Sequence, residues 1–411
     1  MRRLSPEGPR LLLLVGLALG GQDPSPLRAD TIQVPGDQPT LAAAIAAAAG
    51  GDSILLAPGT YYEHSLVISG PLAILGESGR RSDVVIDAES QGRVLLTEYG
   101  EWTLRLQDLT LQHGWAGSEV GGVGGGAYLQ SRGLVRNVTV RACSAHWFGG
   151  GIAAYGPIEL LDSLVEGNSV AGPSCLGGGL ILGVDAYVAR TAIRSNTSAS
   201  DAGGVYCSAE LTALMEDCTI IDNHADRDGG GLYAYDTEYF HDLRLVRSLV
   251  SGNSAGRNGG GAYSFADLRI ESCTLVDNSA ADGAGAYMSG NWDIQNTNAL
   301  INTIVFGNHG IGVSCWLCQV AVGCSDVYGN EGGDYAGFVV DPTGTQGNIS
   351  VDPRFCSFAT EDFRLEDTSP CAPGNHPDGH GCEVIGLYGV GCTGTAVAPS
   401  HWGTIKSYYS R

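Results

Sequence analysis

The segment CTIIDNHADRDGGGLYAY, residues 218–235, contains every part of a motif that returns thirty residues later as SLVSGNSAGRNGGGAYSF, residues 248–265. Both copies join a short apolar run, an Asn, a glycine cluster and a second run that contains a Tyr. Irregular spacing excludes a coiled coil, and the pattern lacks helical periodicity. It favours a β-solenoid, in which loops absorb insertions while strands stay stacked. The last glycine of each cluster recurs every 24 to 30 residues, at Gly126, Gly151, Gly179, Gly204, Gly231, Gly261, Gly285 and Gly312.

A column of asparagines keeps register with the glycines. Each Asn follows a short β-rich run, as in residues 218–223. Asn tolerates the left-handed turn conformation, and stacked Asn amides can hydrogen-bond from one coil to the next. We therefore expect a structural ladder, with Cys143 at the Asn position of the first clear coil. Its asparagines are Asn168, Asn196, Asn223, Asn253, Asn278, Asn308 and Asn330.

Side-chain alternation before each Asn predicts which residues face the core. The third and the fifth residue before Asn form two columns that we expect to point inward. The residue between them is mixed in character, as at Thr219 and Asp326, and is expected to face water more often. The third-residue column is Val165, Ile193, Ile220, Val250, Leu275, Val305 and Val327, and the fifth-residue column is Ser163, Thr191, Cys218, Ser248, Cys273, Thr303 and Ser325.

The repeat, with the opening TIQVPGDQPTLAAAIAAAAGGDSILLAPGTYYE at residues 31–63, resembles right-handed β-helix repeat families. These include the bacterial polymorphic outer-membrane-type repeats and the pectin-lyase-like superfamily. The resemblance covers about residues 31–392 and implies an all-β, single-domain right-handed parallel β-helix. It also implies an amphipathic capping helix, residues 41–48, before a first strand at residues 53–57. Because one fold hosts many functions, the resemblance is specific for the fold and weak for the chemistry.

The first residues have the pattern of a secretory signal peptide. Three arginines precede an apolar run at residues 11–19, which is too short to span a bilayer, and small residues follow. No later segment predicts a membrane helix, so we expect a secreted or cell-surface protein. The predicted parts are a signal peptide at 1–29, an N-terminal cap with the helix at 30–51, the β-helix at 52–340, a Cys-rich C-terminal cap at 341–394 and a tail at 395–411.

The chain is strongly acidic, with a formal net charge of −22. This charge argues against nucleic acid as a partner, because phosphates require a basic surface. It also argues against binding polyanions such as pectate, unless a divalent cation bridges the two. Lys406 is the only lysine, which excludes a lysine base in the body of the protein.

Twelve cysteines in an exported chain indicate disulfides. Cys218 and Cys273 share an inward register two coils apart, a separation of about 10 Å that is beyond disulfide reach, so we expect free thiols. Cys143 and Cys175 lie at turns of adjacent coils and can pair. The expected cap bridges involve Cys324, Cys356, Cys371, Cys382 and Cys392, and a disulfide or paired edge cysteines is favoured over zinc or redox activity for Cys315 and Cys318.

A column of tyrosines is the best candidate for a ligand-binding surface. Each Tyr stands two residues after the last glycine of a cluster, between inward positions, so the rings should face out. Rings about 4.8 Å apart would form a flat aromatic strip close to the repeat of a sugar ring. The alternative is that stacked rings only shield and stiffen the sheet. The column is Tyr206, Tyr233, Tyr263 and Tyr287, with Tyr128 earlier in the same register.

A column of acidic residues stands three residues before the last glycine. It consists of Asp201, Asp228, Asn258 and Asp282. Carboxylates stacked this closely repel each other, which favours a calcium ion with oxygen ligands. The alternative is an Asx-turn that caps each glycine bend without metal. Calcium is the only cofactor that the sequence raises.

Motifs of the enzymes that share the predicted fold are missing or incomplete. GTYYE at residues 59–63 resembles pectin methylesterases, but their later motifs are not found. Polygalacturonase-type hydrolases use a DD pair and an RxK, and this chain has neither in its body. The HG at His113–Gly114 is then a lone dipeptide. Nothing in the sequence marks a pair of catalytic carboxylates.

Arg244 and Arg247, with His241, follow the loop at residues 236–238 and form the least implausible catalytic patch, whose alternative is an ordinary polar loop. We expect a non-catalytic scaffold that is structural, adhesive or glycan-binding, with polysaccharide or surface proteins as partners. The alternative is a polysaccharide lyase or glycoside hydrolase that uses the same long face. The oligomeric state is left open.

Overall fold

The chain winds into a solenoid of parallel strands. The computed structural model describes residues 29–208, 212–235, 242–290 and 298–392. Strands at the same position in successive coils pair in register, so equivalent residues form straight columns along the solenoid. The predicted signal peptide and the tail at 395–411 lie outside the described residues, apart from residue 29. Within the part of the chain that is described, no helix is long and apolar enough to cross a membrane.

Sheet I is the largest sheet and has two strands per coil through most of the solenoid. A residue in the left-handed conformation, such as Asp162 (φ 52°) or Arg247 (φ 44°), separates the two strands of a coil. The twenty-one strands of sheet I are Thr31–Val34, Ser53–Leu56, Gly59–Tyr62, Leu72–Gly76, Val84–Asp87, Thr103–Gln112, Arg132–Arg141, Ile158–Leu161, Leu164–Glu166, Ala186–Ala189, Ala192–Arg194, Ala213–Glu216, Thr219–Ile221, Asp242–Val246, Leu249–Ser251, Asp267–Glu271, Thr274–Val276, Asn298–Ile301, Ile304–Phe306, Val320–Gly323 and Asp326–Tyr328.

Two smaller parallel sheets complete the coils. Sheet II follows the glycine clusters and has eleven strands, Leu66–Ile68, Leu95–Thr97, Ala127–Leu129, Ile152–Ala154, Leu180–Leu182, Val205–Cys207, Leu232–Tyr235, Ala262–Phe265, Ala286–Ser289, Val313–Trp316 and Tyr335–Gly337. Sheet III follows the Asn column and has six short strands, Trp115–Ala116, Ser144–Ala145, Ser169–Val170, Thr197–Ser198, His224–Ala225 and Ser254–Ala255.

Three short helices and one antiparallel strand pair lie outside these sheets. The α-helix Leu41–Ala47 is capped by Thr40, whose Oγ1 accepts from the Ala43 amide at 3.1 Å, and it buries Leu41 and Ala44 in the core cluster. Its exposed positions are alanines, so its two faces differ little in polarity. The remaining elements are the 3-10 helices Ser118–Val120 and Phe358–Thr360 and the antiparallel strands Phe355–Ser357 and Asp362–Leu365.

The predicted Asn ladder is confirmed. Each buried Asn, from Asn168 to Asn308, donates from Nδ2 to Oδ1 of the Asn in the next coil at 2.8–3.0 Å. The left-handed residue is not the Asn itself but the residue before it, such as Gly252 (φ 65°) or Asp222 (φ 55°). This arrangement turns the amide inward, where every buried polar atom needs a partner.

One hydrophobic cluster fills the solenoid from Val34 to Val327. Both predicted inward columns are buried, as Val250 and Ser248 show in one coil. The expectation that the intervening residue faces water is wrong. None of the seven residues at that position, Leu164, Ala192, Thr219, Leu249, Thr274, Ile304 and Asp326, is more than 4% exposed.

The Cys-rich C-terminal segment explains much of this burial. It lies along the outer side of sheet I, where Phe363 and Tyr388 pack against Leu249. The Leu387 amide donates to Oγ1 of Thr274 at 3.0 Å, across 113 residues of sequence. The segment therefore covers several coils from the side, and a long-range contact of this kind leaves no mark in the local alternation pattern.

The disulfides follow the sequence prediction in part. Cys315–Cys318, Cys324–Cys382 and Cys356–Cys392 are bonded. Cys218 and Cys273 are buried free thiols, as expected. The proposed Cys143–Cys175 pair is wrong, because both are buried free thiols. Cys143 instead occupies the first position of the Asn ladder, where its backbone amide donates to Oδ1 of Asn168 at 3.0 Å, and Cys371 is free rather than bridged.

Candidate functional site

The outer side of sheet II carries the predicted tyrosine column. Leu232 and Ala234 point into the core, so strand alternation places Tyr233 and Tyr235 on the outer side. Register pairing brings the four tyrosines of the column opposite one another in successive coils. Each of the four is partly exposed.

The four rings form a continuous stack, which we call the tyrosine ladder. Ring centroids are 5.6 Å apart for Tyr206–Tyr233, 4.6 Å for Tyr233–Tyr263 and 5.3 Å for Tyr263–Tyr287, and the planes differ by 18°, 9° and 12°. Nearly parallel rings at these separations are offset-stacked, so neighbouring ring faces overlap in part. Each ring therefore covers part of the face of its neighbour, and the four rings run as one stack along sheet II.

Glycines make room for this ladder. Gly229, Gly259 and Gly283 adopt φ of 70°, 66° and 56°, a conformation that favours glycine. A Cβ added at any of the three would lie 2.6 Å from the Cβ of the Tyr four residues later. Glycine at this position therefore leaves room for the rings of Tyr233, Tyr263 and Tyr287, whereas the coil of Tyr206 has Ala202 there with φ 60°. Burial raises the pKa of the Tyr206, Tyr233 and Tyr263 hydroxyls, so they stay neutral.

Tyr128 shares the register but not the ladder. The equivalent positions in the two following coils are Ala153 and Ile181, which interrupt the column of rings. Tyr128 instead meets Tyr155 edge to face at a centroid distance of 5.7 Å. The guanidinium of Arg93 lies 5.3 Å from the centre of the Tyr128 ring.

A second line of aromatic residues, missed by the sequence reasoning, runs two residues beyond the ladder position. We call it the outer aromatic column, and it contains Tyr155, Tyr235, Phe265 and Trp316. Tyr155 is 43% exposed, Tyr235 37% and Trp316 54%. Tyr235 stacks on Phe265 at 5.7 Å, and Trp316 meets Phe338 edge to face at 5.7 Å. The signal was present, because alternation that places Tyr233 outside also places Tyr235 outside.

The acidic column lies beside the ladder, and the carboxylates of Asp201 and Asp228 already bind arginines and amides. Nε of Arg227 is 3.6 Å from Asp201 Oδ1, and Arg257 pairs with Asp228. The backbone amide of Asn258 donates to Oδ1 of Asp228 in the preceding coil at 3.1 Å, whereas an Asx-turn would join two residues of the same turn. Burial raises the pKa of Asp201 even though Arg227 opposes it. No group of three or more potential metal ligands occurs among the described residues. Calcium binding therefore stays a prediction, and these residues do not supply a set of ligands for it.

The candidate catalytic patch consists of ion-paired arginines. Arg247 lies 2.7 Å from Glu216 and 2.9 Å from Asp217, and hydrogen bonds to Asp217 and Glu216 raise its pKa above the ordinary arginine value. Arg244 pairs with Glu271 at 3.3 Å, although its Nε is buried without a hydrogen-bond partner. The two carboxylates that face Arg247 therefore favour its protonated form. Residues 236–241, with His241, lie outside the described residues.

Comparison with solved structures places the fold. Pectate lyase Pel9A superimposes on 88% of this chain and on 96% of its own, with a TM-score of 0.52 and 14% sequence identity. A mannuronic acid specific lyase of polysaccharide family 6 from the human gut microbiota matches 76% of this chain and 84% of its own at 13% identity, with a TM-score of 0.33. The A-module of a mannuronan C-5 epimerase from Azotobacter vinelandii matches 76% and 93% at 13% identity, with a TM-score of 0.26.

These similarities concern the fold alone. The chain is a right-handed parallel β-helix, a fold that it shares with pectate lyase Pel9A, which confirms the fold expected from the repeat. No protein-family model matches the chain, and no curated protein matches its sequence significantly.

Proposed function

We propose that the protein is an exported, non-catalytic β-helix that binds a polysaccharide along the outer side of sheet II. The observation that carries this proposal is the outer aromatic column, which lines up exposed rings on a rigid parallel sheet. Tyr155, Tyr235 and Trp316 each keep more than a third of their surface exposed. Exposed aromatic rings with a polar tip or edge are suited to ligands that are apolar on one face and wet on the other.

The remaining features support an extracellular polymer as the ligand. The N-terminal pattern predicts export, and three disulfides are bonded, which fits an oxidising compartment. A solved pectate lyase has the same fold over 96% of its length, so the fold serves polysaccharide recognition in at least one other protein. A straight column on a solenoid suits an extended chain better than a compact small molecule.

Affinity electrophoresis and glycan-array binding with the purified protein test the proposal. Tyr235→Ala and Trp316→Ala should each weaken retention about five- to tenfold, because each removes a ring worth about 1–1.5 kcal/mol of contact. Tyr62→Ala is the matched control, since Tyr62 is 65% exposed but lies on sheet I. Equal binding by all four proteins would refute the role of the column.

The enzymatic alternative is kept because the Nε of Arg244 is buried without a partner, which is unusual outside functional sites. The same binding experiment decides it when polymer length is followed over time. If the unsubstituted protein shortens the polymer and Arg244→Gln does not, the protein is a lyase or hydrolase. This result would overturn the non-catalytic proposal. Retention at constant polymer length supports the binding protein.

A further inference from the structure

The charged groups that line the tyrosine ladder pair with one another, apart from Asp282. Three carboxylates stand beside the rings, and two arginines stand between them. Arg227 pairs with Asp201 at 3.6 Å, and Arg257 pairs with Asp228. Asp282 forms no ion pair among the described residues, and its Oδ1 is buried without a hydrogen-bond partner. Two positive and three negative groups leave this row with a charge of −1.

The carboxylates act on the same surface that carries the rings. Burial raises the pKa of Tyr233 and Tyr263, and the charges of Asp201 and Asp228 raise it further. The negative charges of Asp201 and Asp228 therefore act on the hydroxyl groups of the ladder, on the outer side of sheet II. Each arginine of the row already faces a carboxylate of the chain, so its positive charge is offset before a ligand arrives.

We infer that the polymer held along sheet II is an uncharged polysaccharide, and that polyuronates are excluded by charge. This inference rests on the proposed function. A polyuronate laid along the column would add one carboxylate per sugar to a face that the acidic row borders, and both arginines of that row already face a carboxylate of the chain. The formal net charge of −22 opposes the approach of the same polymer at long range. A neutral chain meets neither penalty and keeps all contacts with the rings.

Matched pairs of polymers test the charge alone. Neutral glucan, mannan and galactan are each compared with the same polymer oxidised at C6 to the uronate, with chelator and separately with calcium. At least one neutral polymer should bind about tenfold or more tightly than its oxidised form. Equal or tighter binding of the oxidised form, with or without calcium, overturns the inference and leaves the proposed function standing. Failure to bind any polymer of either kind overturns the proposed function itself.

Variants of the acidic row should reduce the selectivity for the neutral polymer. Asp201→Asn with Asp228→Asn releases Arg227 and Arg257 and changes the charge of the row from −1 to +1. We expect the oxidised polymer to gain about tenfold or more in affinity while the neutral polymer is unchanged. Asp282→Asn is a milder variant that breaks no ion pair and should give a smaller gain in the same direction. Unchanged selectivity in folded variants, verified by circular dichroism, contradicts the inference.

Discussion

Asp326 holds a carboxyl group at a fully buried site between sheet I and the Cys-rich segment. It is 0% exposed, its Oδ1 accepts from the Val351 amide at 3.1 Å, and the Cys371 thiol donates to its Oδ2 at 3.1 Å. The other charges that act on it are the carboxylates of Asp334 and Asp352, and no ion pair to a cation is found within the described residues. Burial therefore raises the pKa of Asp326 to about 7.

This carboxyl group should make the protein more stable in mild acid. Because the pKa in the folded state is above the ordinary value of 3.8, folding favours the protonated form. The stabilisation is complete below about pH 4 and is lost as the pH rises to about 7. A pKa difference of about 3 corresponds to about 4 kcal/mol. Urea unfolding at pH 4.5 and pH 7.5 should show that Asp326→Asn removes most of this pH-dependent loss relative to the unsubstituted protein.

Asp367→Asn provides the control for the Asp326 prediction, because Asp367 is an exposed carboxylate of the same C-terminal segment. Its substitution controls for the removal of one acidic group from this segment. The pH dependence contributed by other carboxylates cancels when each variant is compared with the unsubstituted protein. If Asp326→Asn and Asp367→Asn behave alike, Asp326 does not titrate as a buried group.

At the scale of one element, the tyrosine ladder is a structural part of sheet II as well as a border of the binding face. Tyr263 stacks on Tyr233 at 4.6 Å and on Tyr287 at 5.3 Å. Tyr263→Ala should lower the free energy of unfolding by about 2–4 kcal/mol, because it removes both stacking contacts and opens a gap over Gly259. Tyr263→Phe keeps the stack and should cost less than about 1 kcal/mol. Chemical denaturation followed by circular dichroism measures both values.

Tyr62→Ala sets the scale for the ladder experiment, since this ring is 65% exposed and its removal should cost less than about 0.5 kcal/mol. Equal losses for Tyr263→Phe and Tyr263→Ala would assign the stabilisation to the hydroxyl group and reject stacking as its source.

The strand elements show what local pattern can predict. Period-two alternation is enough to predict that Ser248 and Val250 face the core. It fails for Leu249 between them, whose burial depends on Phe363 and Tyr388, more than a hundred residues later in the chain. The same limit applies to Cys143 and Cys175, where proximity of turns predicted a bond, whereas the two thiols are buried in different hydrophobic clusters.

The position of the tyrosine ladder was predictable from the sequence, but the orientation of its rings was not. The register of the repeat predicts that Tyr233 and Tyr263 are neighbours, and their stacking follows from the strand spacing. Whether the rings present faces or edges depends on side-chain rotation, which the sequence does not encode locally. The exposed ring of Tyr235 escaped notice because its column is broken by non-aromatic residues, such as Ser289 in the coil after Phe265.

At the scale of the whole molecule, the stacking of coils sets the length of the outer aromatic column and so the length of polymer that it can contact. From Tyr155 to Trp316 the column crosses six coil-to-coil steps, a length of about 29 Å at the strand spacing of a sheet. An extended polysaccharide lying along this axis spans about six sugar rings over that distance. Contacts at both ends are possible only for a chain that is long enough to reach them.

Affinity should therefore rise with oligosaccharide length and level off at about six sugars, because longer chains extend beyond the last ring. Calorimetry with a length series of the best-binding neutral polymer measures the plateau. Trp316→Ala should move it to about four sugars, since the column then ends at Phe265, four steps from Tyr155. A plateau at two or three sugars in both proteins would point to one local subsite and would reject a binding face that runs along the solenoid.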